Sequence, residues 1–190
     1  MDQLYHKYDL LKSDLIIACS PPLYTMKHMN KPHNLYFHIP YCASKCRYCA
    51  FYSMPCANPE WDSYADAILT EIDNWANLMG RIDIPTIFFG GGTPSLMPVA
   101  VFERIMNAVR EKFNVLPDCE ITVEVNPGTM TNEKLAAFQK IGMNRISIGV
   151  QSLDDQVLKF MGRCHDADTA IDLIEKSSKL GLRVSADFIY

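Results

Sequence analysis

After residue 33 the chain alternates between two hydrophobic periods, and this alternation limits the fold more than any other feature. Short runs rich in β-branched and aromatic residues read as strands: LYFHI (35–39), TIFFG (86–90), ITVEV (121–125), RISIGV (145–150) and RVSADFIY (183–190). Between them, apolar residues recur at helical spacing. Trp61, Tyr64, Ile68, Ile72, Trp75 and Met79 form one stripe, stopped by Gly80. Asn58-Pro59-Glu60 before it reads as an N-cap, a first-turn proline and an acid at the positive helix end. A second helix is predicted from Pro98, carrying Phe102, Ile105, Val109 and Phe113. A third runs from Thr131 through Leu135 and Phe138 to Gly142. A fourth follows SLDD (152–155), a capping-box pattern, and a fifth covers Asp166 to Leu180 before Gly181.

Alternating strands and helices imply an α/β fold with a parallel sheet and right-handed crossovers. An open doubly wound sheet and a barrel both satisfy the pattern. In either, chemistry sits on loops leaving the C-terminal strand ends. The conspicuous residues fall there: three cysteines after the first run, Gly90 to Thr93 after the second, Glu124 and Asn126 at the third, Gln151 after the fourth. The aromatic helix stripes read as core. The fifth run reaches Tyr190, the last residue, with no helix after it. Residues 34–190 are therefore expected to form a unit truncated after its fifth strand, with 1–33 as an irregular extension.

Composition is that of a folded protein able to bury a core: 190 residues, 48% hydrophobic and 21% charged. The net charge of −4 and pI of about 5.7 give no basic patch for nucleic acid or an anionic membrane. LIIAC (15–19) is too short to span a bilayer, and no basic segment precedes it. No signal peptide or membrane span is expected, and the default compartment is the cytoplasm.

Seven cysteines are present, with Cys42, Cys46 and Cys49 bunched in YFHIPYCASKCRYCAFYS (36–53). An odd, bunched set points to metal or redox work rather than a disulfide framework. Cys19, Cys56, Cys119 and Cys164 read as isolated free thiols. Zinc would want four ligands, commonly two separated pairs, and only Cys46-x-x-Cys49 has pair spacing; His38 and Cys56 are the residues it could recruit. A thioredoxin-like dithiol at Cys46 and Cys49 leaves Cys42 unexplained. An iron–sulfur cube held by three thiolates uses all three and leaves one iron open.

The C-x3-C-x2-C spacing resembles the signature of the radical S-adenosylmethionine (SAM) superfamily. FFGGGTPS (88–95) stands one βα unit later, where that superfamily carries a Gly-rich turn. On its own this triplet could be merely a tight turn. YFHIPYC, FGGGTPS, EVNPGT, RISIGVQS and DFIY resemble, over residues 35–190, the oxygen-independent coproporphyrinogen III oxidase family and its haem-chaperone (HemW-type) relatives.

The resemblance implies a partial (β/α)6 barrel, with a [4Fe–4S] cluster on Cys42, Cys46 and Cys49. SAM would chelate its open iron and be cleaved to a 5′-deoxyadenosyl radical. Gly91, Gly92 and Thr93 would let the backbone approach the methionine amino group. Tyr36, Tyr48, Glu124, Gln151, Arg163 and Asp187 match further cofactor-contacting positions, although Arg163 also reads as a solvated helix end. The oxidases carry a fourth cysteine two residues after the third, where this chain has Phe51. That favours a haem chaperone, with haem as cargo, a haem-acceptor protein, and an electron donor such as a flavodoxin or ferredoxin. The alternatives are a coproporphyrinogen oxidase and a zinc-stabilised binding module. Residues that hold porphyrin or haem lie partly beyond this chain's end in the family, so none of His6, His28, His33, His38 or His165 is assigned as a haem ligand.

Overall fold

The computed structural model describes residues 32–190, so most of the 1–33 extension, with Cys19, His6 and His28, lies outside the described residues. Five parallel strands form one sheet, in the spatial order β1 (Leu35–Ile39), β4 (Asp83–Gly91), β5 (Asn114–Val125), β6 (Arg145–Gln151), β7 (Arg183–Phe188). Two short strands, β2 (Tyr41–Cys42) and β3 (Met54–Pro55), pair in parallel within the loop after β1. The helices are α1 (Trp61–Met79), α2 (Val99–Lys112), α3 (Asn132–Ile141), α4 (Asp155–Met161) and α5 (Ala167–Lys179).

The strands of the large sheet lie side by side in chain order, without the reversal that defines a doubly wound sheet. Right-handed crossovers that all advance in one direction place their helices on one face, which is barrel winding. This settles the choice that periodicity left open. It also explains the alternation along the strands. Phe37, Phe89, Val123, Ile146 and Ile148 are fully buried in one core with residues of α1, α2, α3 and α5. The intervening residues, among them His38, Glu124, Ser147, Ser185 and Asp187, occupy the other, concave face.

Aromatic stacking ties the layers together. Phe37 of β1 stacks on Phe89 of β4 with ring centroids 4.8 Å apart, and Phe89 meets Phe102 of α2 edge-on at 5.0 Å. Phe102 stacks in turn on Phe138 of α3 at 4.3 Å. Tyr64, Ile68 and Ile72 of the first predicted stripe are buried, while Trp61 and Trp75 pack against the core partly exposed. Both tryptophans are therefore core-facing, as the stripe implied.

Several boundaries differ from those predicted. α1 begins at Trp61 with Glu60 at the N-cap, so Asn58 and Pro59 precede the helix, and the Pro59 carbonyl accepts from the Trp61 N–H. Asp154, not Ser152, caps α4: its carboxylate accepts from the N–H groups of both Gln156 and Val157, two orphan donors where a hydroxyl would serve one. Phe113 ends α2 in extended conformation yet stays buried. β5 starts at Asn114, seven residues before the predicted run. Its first part is broken by a register shift against β4 that leaves 116–119 unpaired, so Pro117 interrupts no ladder hydrogen bond. Thr131 and Asp166, where the third and fifth helices are predicted to start, are the N-caps of α3 and α5.

Because Phe102 bridges the sheet and α3, Phe102→Ala should lower unfolding free energy by about 3–5 kcal/mol, read from urea denaturation with an unchanged slope.

Candidate functional site

The cysteine loop is an arch closed by backbone pairing. Met54 N–H donates to the Pro40 carbonyl at 2.7 Å and Cys56 N–H to the Cys42 carbonyl at 2.9 Å, so both feet are anchored beyond β1. Cys42 lies on β2 and is buried; Cys46 and Cys49 are half-buried in the arch. Lys45 Nζ donates to the carbonyls of Phe51 and Ser53 across it. The arch also leans on α4: Arg47 N–H donates to the Met161 carbonyl at 3.1 Å, and the guanidinium lies over the Phe160 ring. His38 is occupied in bracing. Its Nε2 donates to the Tyr52 carbonyl at 2.9 Å, leaving Nδ1 to accept from the Tyr36 hydroxyl at 3.0 Å.

The glycine triplet ends β4 against this arch, and each glycine has an intramolecular reason. A Cβ on Gly90 would lie 2.8 Å from the Phe88 ring, and one on Gly91 2.6 Å from His38. Gly91 also holds a φ of +109° that other residues rarely adopt. Gly92 donates to the Ile39 carbonyl at 2.6 Å, and a Cβ there would sit 2.7 Å from the Tyr41 carbonyl and 3.1 Å from Cys42 Sγ. Thr93 donates its N–H to the Tyr41 carbonyl at 2.8 Å and its hydroxyl to Cys42 Sγ at 3.4 Å. The turn thus clamps β2 and the first thiol.

The pocket floor comes from the ends of β5, β6 and β7. Glu124 accepts from the Gly91 N–H at 3.0 Å, and burial raises its carboxyl pKa against that hydrogen bond, with Asp187 adding to the rise. Gln151 is the single non-glycine with positive φ (68°) among the described residues, at a register shift between β6 and β7. Arg163 is no solvated helix end. It follows the left-handed cap Gly162 and turns inward, donating to the Gly149 carbonyl at 2.7 Å and to Cys46 Sγ and the Tyr48 hydroxyl at 3.5 Å each. Its Nε is buried without a partner among the described residues.

One pocket is therefore lined by Cys42, Cys46, Cys49, Tyr48, Gly91, Gly92, Thr93, Glu124, Gln151, Arg163 and Asp187. Tyr36 is the predicted residue that does not line it. It lies lower on the concave face, stacked on Phe88 with its hydroxyl on His38. Burial raises the pKa of Tyr36, and Glu124 raises it further. Among the described residues no three His, Cys, Asp or Glu groups converge as one metal ion requires. Three soft thiolates spread around a pocket suit a multi-iron body, whose sulfur ligands bind different irons.

Comparison with known proteins places this geometry. The Radical SAM superfamily model matches residues 36–190. The chain belongs to the radical SAM superfamily. It is 42% identical over 154 residues to the haem chaperone HemW of Escherichia coli K12, covering 80% of this chain and 40% of that protein. It is 38% identical over 147 residues to an anaerobilin synthase of Escherichia coli O157:H7, covering 76% and 33% respectively. Among solved structures, the coproporphyrinogen III oxidase HemN of Escherichia coli, described as a radical SAM enzyme, superposes with a TM-score of 0.82 at 29% identity, covering 87% of this chain and 38% of that one. The fold is thus part of a radical SAM barrel, and the chain spans about 40% of the length of the chaperone it matches.

Sequence reading missed a supporting layer beside the pocket. Ser95 Oγ meets Thr129 Oγ1 at 2.5 Å and accepts from the Asn126 N–H at 3.1 Å, joining the loops after β4 and β5. Lys134 Nζ donates to the Ser95 carbonyl from a half-buried position that lowers its pKa to about 8. His165 is buried between Asn126 Oδ1 and the Val150 carbonyl, each at 3.2 Å, and burial, with Arg163 adding, depresses its pKa. The FFGGGTPS, EVNPGT and MGRCH segments carry Ser95, Asn126, Thr129 and His165 without indicating this role, since the bonded pairs lie up to 39 residues apart in sequence.

Gly92→Ala should lower stability by about 1–3 kcal/mol through overpacking and speed alkylation of Cys42, followed by denaturation and thiol-trapping rates. Glu124 has a folded-state pKa above its unfolded one, so ionising it opposes folding, and its contribution to stability falls as pH rises through that range. Ligand-free Glu124→Gln should therefore be more stable than the parent at neutral pH and lose part of the parent's decline as pH rises above the ordinary carboxylate range, measured by urea denaturation.

Proposed function

We propose that this chain forms the cluster- and SAM-binding part of a HemW-like haem chaperone. Cys42, Cys46 and Cys49 would hold a [4Fe–4S] cluster, with SAM on its open iron. When bound, the cluster supplies one electron for cleavage of the SAM sulfonium. The chain's own residues bind and orient. The Gly91–Thr93 turn presents backbone beside the cysteine arch, and Glu124 accepts from cofactor hydroxyls. Gln151 and Asp187 contact the cofactor from the strand ends. Arg163, whose Nη1 faces Cys46, would pair its guanidinium with the methionine carboxylate, and Tyr48 closes the rim. The radical SAM core comprises 34–190, and 1–33 is an extension.

The observation that carries the chaperone reading over the oxidase is Phe51. It stands 71% exposed at the pocket rim, where oxidases carry a fourth cysteine. The HemW name of relatives such as that of Escherichia coli K12 supports it. Haem would be the cargo, passed to an acceptor protein, with the cluster reduced by a small donor such as a flavodoxin or ferredoxin. No helix among the described residues is long and apolar enough to cross a membrane, and we place the protein in the cytoplasm.

The test is anaerobic reconstitution with iron and sulfide, then electron paramagnetic resonance with and without SAM. The expected outcome is a reduced [4Fe–4S] signal that SAM alters and Cys42→Ala abolishes, together with haem binding and no vinyl formation from coproporphyrinogen III. Protoporphyrinogen IX formed under anoxia would establish the oxidase instead. Colourless protein carrying zinc would leave the binding module.

A further inference from the structure

The concave face carries a line of polar side chains that runs from outside the pocket up to Asp187. At its foot, Arg145 and Arg183 share Glu120: Arg183 Nη2 lies 2.9 Å from Glu120 Oε2, and Arg145 Nη1 lies 3.6 Å from Oε1. Two guanidiniums on one carboxylate leave a positive charge there. From Arg145 the hydrogen bonds climb toward the pocket. Its Nη2 donates to Ser185 Oγ at 3.2 Å, Ser185 donates to Ser147 Oγ at 3.1 Å, and Ser147 donates to Asp187 Oδ2 at 3.2 Å.

The direction of this chain is set at both ends. A guanidinium can only donate and a carboxylate can only accept, so each serine hydroxyl has one arrangement that satisfies both neighbours. Strand register supplies the geometry: Ser147 pairs with Ser185, and Gly149, one position up the same face, pairs with Asp187. From that register Asp187 reaches Ser147 on the neighbouring strand, one step down the same face. With Oδ2 held by the chain, Oδ1 is the oxygen left for a ligand.

We propose that Ser185 and Ser147, oriented by Arg145, are positioning residues that hold the Asp187 carboxylate in one rotamer for SAM. The proposal rests on the reading that Asp187 contacts that cofactor. Ser185 is the discriminating position, because Ser147 itself lines the pocket and Ser185 does not.

The experiment is a double-mutant cycle on the full, anaerobically reconstituted chain. The parent, Ser185→Ala, Asp187→Asn and the double variant are titrated calorimetrically with SAM, with Ser185→Thr as the hydroxyl-retaining control. Ser185→Ala should weaken binding about three- to tenfold, Ser185→Thr should bind like the parent, and Ser185→Ala should add nothing once Asp187 is Asn. Unchanged binding in Ser185→Ala, or a loss that persists undiminished beside Asp187→Asn, would overturn the chain. If the parent binds no SAM, the proposed function falls instead. The same four proteins in urea then decide the chain: non-additive unfolding midpoints uphold it, and additive ones end it.

Discussion

Side chains on a strand alternate between two faces, and here five strands are paired in parallel and wound in a single direction. All five helix-side rows can then be apolar because one set of helices covers them, and all five inner rows are free to be polar. The site depends on this separation. Glu124, Ser147, Ser185 and Asp187 could not occupy a sheet packed by helices on both faces without finding buried partners. In a barrel they face a shared lumen and find one another.

The same winding delivers the loops. Parallel strands bring every C-terminal end to one rim, so the cysteine arch, the glycine turn, Gln151 and Arg163 meet although 117 positions separate Arg163 from Cys46. The arch is stiffened by backbone rather than side chains: β2–β3 pairing, the Gly92 and Thr93 amides on β1 and β2 carbonyls, and the Arg47 amide on α4. Such anchoring matters where three thiols must be presented together before any ligand ties them, since each loose residue would otherwise lose conformational freedom on binding.

Much of this was legible in the sequence, and the misses have physical causes. Strand cores were visible as β-branched runs, but β5 begins in NVLPDCE, where a bulge absorbs a proline and a polar stretch that periodicity reads as loop. The N-cap of α4 moved from Ser152 to Asp154 because a carboxylate satisfies two amides at once. The crowding of Gly90, Gly91 and Gly92 by Phe88, His38 and Tyr41 is tertiary, so the triplet alone does not reveal it. Tyr36 does not line the pocket, its ring stacking on Phe88 and its hydroxyl meeting His38. The layer of Ser95, Thr129, Lys134 and His165 carries no local pattern, since its partners join across different βα units.

By itself, the sequence determined the alternating elements, the hydrophobic faces and the thiol spacing, because each is a local property of period or neighbour distance. It also carried the resemblance that identified the family. Only tertiary structure decided that strand order runs without reversal, that Arg163 turns inward, and that one polar line climbs from Arg145 to Asp187. The polar line depends on register between β6 and β7, whose bonded partners lie about 40 residues apart, and a one-residue slip of β7 would carry Ser185 and Asp187 to the opposite face.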